Sequence, residues 1–346
     1  MVKMDFSRLD LRLAHSWTVA GARTRHAVKS VIVELRDDDG TVGLGEAAPP
    51  ARYNESALSV EAFLRRVDLR KLSFEEIQPS MDYLDSISSE DNSAKCAVNV
   101  ALCDGAAKRA GQPIYDFLAL GFRQHRHVSS FTIGIDAPDA VRQKVKAAES
   151  YPVLKMKMGV PEDKANLQAL RDISPAKSVR IDANEGWASK EQALEMIQWL
   201  ARDGQIQLVE QPMPAQTPLK ELIWLKQRSP LPLFADESYH SASDAGLASE
   251  CFHGVNVKLV KTGGIGRAME ALQAARQAGL KTMLGCMIET SILITAGAHL
   301  AELCDYLDLD GNLLITNDTY KGVTTENGIL SFADAPGKTG LRVGRR

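Results

Sequence analysis

Leu154-Lys-Met-Lys-Met-Gly159 sets two lysines, Lys155 and Lys157, two apart in a short apolar run. Side chains of a strand repeat with period two, so both ammonium groups point to one face. Like charges on one buried face repel, and burial further disfavours the charged form. A lysine so placed is expected to lose its proton readily and to act as a base near neutral pH. An edge strand with water-facing lysines has the same spacing, and residues further along the chain decide between the two.

Beyond Gln124, apolar strand-like runs recur at 129–135, 153–158, 179–182, 207–210, 233–236, 255–260, 282–286 and 306–309. Helical periodicity fills intervals such as 191–201, 219–228 and 267–278. The repeat is about 25 residues, one strand plus one helix, and eight such units predict a parallel (β/α)8-type barrel over residues 121–320. An open doubly wound sheet is the alternative, but no strand is followed by G-x-G-x-x-G. Met156 and Met158, alternating with the lysines, are expected in the core.

Residues 1–120 predict an α+β capping domain. Residues 8–13 alternate weakly, 30–36 form a clear strand, and Asp37-Asp-Asp-Gly40 turns into a second strand at 41–46. Residues 56–118 are helical, with Ser93 expected to cap an Ala-rich helix over 94–110. Two loops are exposed to function: 18–26, with Arg23, Arg25 and His26, and 47–55, with Pro49, Pro50 and Tyr53. The tail, 321–346, is expected to rejoin the cap.

With 45% hydrophobic and 25% charged residues and a net charge of -3, the 346-residue chain gives no reason to expect nucleic acid or an anionic membrane as partner. No apolar run reaches the roughly 18–20 residues of a membrane span, and the N-terminus has no apolar signal core. Cys96, Cys103, Cys251, Cys286 and Cys304 are scattered, without C-x-x-C spacing, which predicts free thiols in the cytoplasm.

In a barrel of this class, chemistry gathers where strands end. The ends here are Arg180-Ile-Asp-Ala-Asn-Glu-Gly-Trp187, Leu208-Val-Glu-Gln-Pro212, Phe234-Ala-Asp-Glu-Ser238 and Val255-Asn-Val-Lys-Leu-Val-Lys-Thr-Gly-Gly264. Asp182, Glu210 and Asp236 thus hold equivalent places on successive strands. Three converging carboxylates repel unless a cation sits among them, and hard oxygen ligands suit Mg2+. Taken singly, each acid also reads as a helix cap or a loop ion pair. Lys258 lies far round the barrel from Lys155 and Lys157, so a metal would sit between opposed lysines. That arrangement suits proton removal from a carbon next to a carboxylate, with inversion when the second lysine returns a proton to the other face.

Together, Lys155-Met-Lys157, Asp182-Ala-Asn-Glu-Gly-Trp187, Glu210-Gln-Pro212, Asp236-Glu-Ser238 and Lys258-Leu-Val-Lys-Thr-Gly-Gly264 resemble the muconate-lactonizing subgroup of the enolase superfamily, over nearly the whole chain. The resemblance implies a modified (β/α)7β barrel, Lys157 as base with Lys155 as its electrostatic neighbour, Lys258 as the opposing acid/base, and Asp182, Glu210 and Asp236 as Mg2+ ligands. Lys261 is the weaker candidate for second base, because alternation puts it on the other strand face from Lys258.

Asp308 and Asp310, in Tyr306-Leu-Asp-Leu-Asp-Gly311, are two apart on the last strand and could grip an ammonium group. They could equally be turn or cap residues before Gly311. With Leu284-Gly-Cys-Met287, this D-x-D-G resembles the dipeptide epimerases, which implies a small-molecule dipeptide substrate inverted at its C-terminal α-carbon. Other members of the subgroup are the alternatives: cycloisomerases, o-succinylbenzoate synthases and N-acylamino acid racemases. Arg25 falls where Ala-Glu epimerases carry an arginine for the glutamate carboxylate, so L-Ala-L/D-Glu is the lead substrate; Arg23 is its chemical rival. Tyr53, Thr132 and Met287 are further candidate contacts. Glu289, read as an acid lining the pocket, would instead favour a neutral or cationic second residue and so a hydrophobic or cationic dipeptide. A homo-oligomer is expected.

Two other signals point elsewhere. His125-Arg-His127 imitates the H-x-H of metal-dependent hydrolase barrels but precedes the first barrel strand, and no histidines stand at strand ends. Thr262-Gly-Gly-Ile-Gly266 reads as a glycine-rich βα turn, since a phosphate loop has its lysine in the reverse order. A non-catalytic binding barrel would have no use for opposed lysines around a metal triad.

Overall fold

The computed structural model describes residues 2–18, 20 and 24–346. Three antiparallel strands, β1 (Lys3–Trp17), β2 (Arg25–Arg36) and β3 (Val42–Ala47), form a sheet in that order. The tight turn between β2 and β3 closes with Asp37 N–H to Thr41 O and Gly40 N–H to Asp37 O, both 3.0 Å. Against β3 lies the helix Asn92–Arg109, whose Ala97 and Ala101 approach so closely that a Cβ on Gly45 or Gly43 would sit 1.9 or 2.0 Å from their carbonyl oxygens. Small residues on both partners make that contact possible. Ser93 does not cap this helix: Asp91 holds the N-cap position, and Ser93 bonds to Glu55 instead, tying the helix to the 47–55 loop.

Eight parallel strands come next: β4 (Phe131–Ile133), β5 (Val153–Lys157), β6 (Ser178–Asp182), β7 (Ile206–Glu210), β8 (Leu233–Ala235), β9 (Gly254–Val257), β10 (Lys281–Gly285) and β11 (Tyr306–Asp308). They neighbour one another in chain order, and a parallel bridge from Ser129 to Leu307 closes the ring. Each strand from β4 to β10 leads into a helix, whereas β11 leads only into the 3-10 turn Gly311–Leu314. The barrel is therefore of the (β/α)7β kind.

Alternation sorts the side chains. Leu154, Met156, Val179, Ile181 and Val209 join the large apolar cluster shared with the outer helices, while Leu208, Phe234 and Met283 plug the inside. Arg180 is buried there too, donating to Leu307 O at 2.6 Å and Gln207 Oε1 at 2.9 Å. His127, of the H-x-H imitation, is paired with Glu302 at 2.8 Å and plays no part at the strand ends.

Cap and barrel meet through buried polar contacts. Glu46 accepts from Ser30 Oγ and from the backbone and hydroxyl of Thr290, and Asn99 Oδ1 accepts from Ile265 N at 2.8 Å. The tail returns as well: Gly344–Arg345 pairs with Tyr320–Lys321, and Leu341 N–H donates to Asp104 Oδ1 at 2.7 Å.

Candidate active site

The strand ends bring the acids and lysines together. Lys155 and Lys157 close β5, Asp182 closes β6, Glu210 closes β7, Asp236 lies just after β8 and Lys258 just after β9. Strands β5 and β9 are four apart in a ring of eight, so Lys157 and Lys258 stand on opposite sides of the mouth, with the three carboxylates on the arc between them. The carboxylates are buried and offer ligand oxygens that all lie within 4.8 Å of one another.

Each acid is held by a cation. Lys157 Nζ lies 2.6 Å from Asp182 Oδ2, and Lys258 Nζ lies 2.6 Å from Asp236 Oδ2. Lys155 reaches Asp182 Oδ2 at 3.0 Å, Glu210 Oε2 at 2.8 Å and Asp308 Oδ2 at 2.7 Å. Lys155 is sealed at 1% exposure, whereas Lys157 and Lys258 keep 9% and 7%. All three are buried and line the cavity, Lys157 and Lys258 from opposed sides of the barrel.

The charge balance differs from that expected for two lysines on one face. Burial pulls the Lys155 pKa down, but the field of Asp182, Asp308 and Glu210 overrides it and raises the group well above the ordinary lysine range. Lys258 is likewise raised, burial being outweighed by Asp236. Among the acids, burial and the neighbouring Asp182 push Glu210 up to about 7. Asp236 is opposed by burial yet held well down by Lys258 and Lys261.

Lys261 departs from the expectation drawn from alternation. Strand β9 stops at Val257, and Leu259–Thr262 is one helical turn, so alternation no longer applies. The turn, ended by Gly263 at φ 91° and Gly264 at φ 129°, folds Lys261 back into the cluster. Its Nζ lies 2.6 Å from Asp236 Oδ1, 2.5 Å from Asp236 O and 3.1 Å from Asn256 O. Asn256 was also missed; its Nδ2 donates to Glu210 Oε1 at 2.8 Å. It stands two before Lys258, so period two could have found it.

A donor set of this kind fits a hard divalent cation. Glu210 Oε2, though 2.8 Å from the Lys155 ammonium, accepts no aligned hydrogen bond among the described residues, while Asn256 fixes the other oxygen. One buried, unsatisfied carboxylate oxygen facing two further carboxylates is what a Mg2+ site offers.

Above the cluster lies a cavity of about 480 Å3 between barrel and cap. Lys155, Lys157, Lys258, Asp236, Asp308 and Asp310 line its floor, and residues of the 47–55 loop, including Tyr53, line its roof. Arg25, Thr132 and Met287 line it too, while Arg23 lies outside the described residues. Arg52 pins the roof to the barrel through a two-pronged pairing with Glu185 at 2.9 and 3.0 Å. Tyr53 stacks edge-on against His240 at 5.2 Å. Asn184 and Glu237, which the sequence patterns did not single out, also line the cavity, each with a buried oxygen that has no hydrogen-bond partner among the described residues.

Asp308 and Asp310 sit as a pair, although β11 ends at Asp308 and Asp310 belongs to the next turn. Asp308 Oδ1 accepts from Ser130 Oγ at 2.8 Å, and Asp310 Oδ2 accepts from Thr132 N at 2.6 Å. Burial and the neighbouring Asp308 push Asp310 up to about 7. Glu289 requires a correction: it is buried beside Glu46, lies outside the cavity lining and is pushed well above the carboxylate range by burial and by Glu46. It puts no negative charge before a substrate.

Barrel, cap and strand-end chemistry together define an enolase-type enzyme. Residues 138–341 match the profile described as enolase C-terminal domain-like, and residues 10–119 match the mandelate racemase / muconate lactonizing enzyme N-terminal domain. The chain belongs to this family of the enolase superfamily. Among its relatives, an L-Ala-D/L-amino acid epimerase of Pedosphaera parvula is 64% identical over 344 residues, 99% of each chain. The substrate-liganded L-Ala-D/L-Glu epimerase of Bacillus subtilis superposes with a TM-score of 0.91 at 29% identity, covering 99% of both chains. A dipeptide epimerase of Enterococcus faecalis complexed with Mg and L-Leu-L-Tyr superposes with a TM-score of 0.89 at 30% identity, again over 99% of both.

Proposed function

We propose that the protein is a dipeptide epimerase that inverts the α-carbon of the C-terminal residue by a two-lysine 1,1-proton transfer. The observation that carries this is the opposition of Lys157 and Lys258 across the mouth, with Asp182, Glu210 and Asp236 between them. The similar epimerases support the same reading, and L-Ala-L/D-Glu stays the lead substrate because Arg25 lines the cavity.

Asp182, Glu210 and Asp236 would hold Mg2+. Bound there, the ion would draw on the carboxylate charge that now holds the lysines and would offset negative charge gathering on the substrate carboxylate. Lys157, as neutral amine, takes the α-proton from one face, and Lys258, as ammonium, gives a proton to the other. In the reverse direction the two exchange roles, so nothing is consumed. Lys155 remains charged and steadies the developing enolate. Asp308 and Asp310 receive the ammonium of the first residue, and Tyr53, Thr132 and Met287 shape the walls around the peptide.

Residues 1–120 with the tail 321–346 act as the cap, and 121–320 as the catalytic barrel. No helix among the described residues is long and apolar enough to cross a membrane, and all five cysteines are free, which suits a reducing cytoplasm. We expect a homo-oligomer without nucleic-acid or membrane partners. Incubating L-Ala-L-Glu with enzyme and Mg2+ in D2O tests the reading: deuterium should enter the glutamyl α-position as L-Ala-D-Glu appears. Absence of both exchange and epimer across a panel of dipeptides would overturn it.

A further inference from the structure

We propose that the first residue of the dipeptide is read by a second, smaller cavity beside the ammonium site, and that this cavity takes aliphatic side chains up to isobutyl size. The inference rests on the dipeptide reading above and adds to it the class of first residue.

The geometry starts at the acid pair. Asp310 is bonded to the Thr132 backbone and Asp308 to Ser130, so an ammonium held between the acids lies against β4. Its α-carbon is one bond away, and the first side chain must leave from there. Thr132, Leu314 and Trp17 line the main cavity at this point, and the same three residues also wall a further cavity of about 100 Å3. A side chain leaving the ammonium site therefore has a second pocket within reach, walled by the same three residues.

That pocket is lined mainly by apolar side chains from separate elements, with His15 and Lys144 as its charged or titratable members. Leu13 comes from β1, Phe131 from β4 and Leu313 from the turn after β11. Gly134 keeps it open: a Cβ there would already stand 3.4 Å from the Trp17 ring, so a longer side chain would grow into the space. Lys144, at the edge, is paired with Asp136 at 2.9 Å, which withholds its charge from an occupant. Size then sets the limit. An apolar void of about 150 Å3 admits benzene, so about 100 Å3 suits a branched three- or four-carbon chain and excludes a benzyl group.

The test is a series of L-Xaa-L-Glu dipeptides with Xaa glycine, alanine, valine, leucine and phenylalanine, assayed for kcat/KM with Mg2+. One methylene in a hydrophobic pocket is worth about 10- to 200-fold, so kcat/KM should rise at least tenfold from alanine to leucine and fall at least tenfold from leucine to phenylalanine. In Gly134→Leu the leucine-to-alanine ratio should drop at least tenfold. Ala147→Leu, on an exposed edge of the same pocket, serves if the first variant does not fold. A flat series, phenylalanine equal to leucine, or an unchanged ratio in a folded variant would overturn the inference. No α-proton exchange with any member, nor with a parallel L-Xaa-L-Val series, would instead be failure of the dipeptide reading itself.

Discussion

Lys155 Nζ lies 2.7 Å from Asp308 Oδ2, so one buried ammonium joins the carboxylates of β6 and β7 to the acid pair at the end of β11. Asp308 is therefore occupied on both oxygens, by Lys155 and by Ser130, whereas Asp310 Oδ1 meets the Cys286 thiol at a longer 3.8 Å. The two acids should respond differently to removal of charge. Asp310→Asn should raise KM for a dipeptide about 10- to 100-fold, since a charge-assisted bond is worth about 1.5–3 kcal/mol, with little effect on kcat. Asp308→Asn should lower kcat as well, because Lys155 loses a partner. Steady-state kinetics on both variants would decide, and identical effects would remove the distinction.

Metal dependence turns on Glu210. Its Oε2 is buried without a hydrogen bond, and Glu210→Gln replaces a charged ligand by a neutral one. Mg2+ titrated into the metal-free protein by calorimetry should bind at least tenfold more weakly to the variant. Chelation should abolish wild-type turnover, and added Mg2+ should restore it. Full turnover by protein shown metal-free by elemental analysis would end the proposal.

The two lysines should separate epimerisation from exchange. Lys258→Ala leaves no group to serve one face, so net inversion should stop while Lys157 can still exchange the α-proton of one epimer with D2O. Lys157→Ala should show the mirror pattern, less cleanly because Lys155 lies nearby and shares Asp182. Proton NMR monitors both processes in one tube. Wild-type epimerisation by Lys258→Ala would make that lysine structural.

Lys261 bonds Asp236 Oδ1 while Lys258 bonds Oδ2, so it acts as a positioning residue for the third carboxylate. Lys261→Met should free Asp236 Oδ1, leaving the carboxylate held by Lys258 alone and its backbone carbonyl by Tyr239 N–H alone. Mg2+ affinity and kcat should both fall at least tenfold, with KM less affected. Lys261→Arg should recover part of the metal affinity if the charge is what matters. An unaltered Mg2+ titration in Lys261→Met would assign the residue to packing alone.

The parts legible in the sequence are those governed by local period. Lys155 and Lys157 share a face because β5 runs straight to Lys157; Asp182 and Glu210 align because β6 and β7 end in register, and Asp236 stands two residues past Phe234, the partner of Glu210, and so shares its face. Lys261 was misplaced because a strand was extended through what is a helical turn; only the paired glycines behind it hinted at the break. Glu289 was misread because nearness to β10 in sequence does not say which way a loop side chain turns, and here it turns toward Glu46 of the cap. The charge state of Lys155 depends on acids from three other strands, which no local window contains. Non-local electrostatics and loop direction are what the sequence withheld.

His299 offers a test of stability away from the chemistry. It is fully buried, with Nδ1 accepting from Tyr115 N at 3.2 Å and Nε2 donating to Leu341 O at 3.0 Å, so the ring is neutral and ties the tail to the barrel. Burial holds its pKa down to about 3, against about 6.5 for a histidine in an unfolded chain. Between those values the unfolded chain binds a proton that the native ring refuses, so stability must fall as pH falls. The contribution is complete above about pH 6.5 and is lost progressively toward pH 3, with an upper bound of roughly 4–5 kcal/mol. His299→Gln cannot titrate, and it should be less stable than wild type at pH 7.5 because the two bonds are not both reproduced. Its deficit should shrink on acidification, as the wild type alone loses the histidine share. Urea unfolding of both proteins from pH 7.5 to 4 measures this, and parallel stability curves would show that the ring is protonated in place without cost.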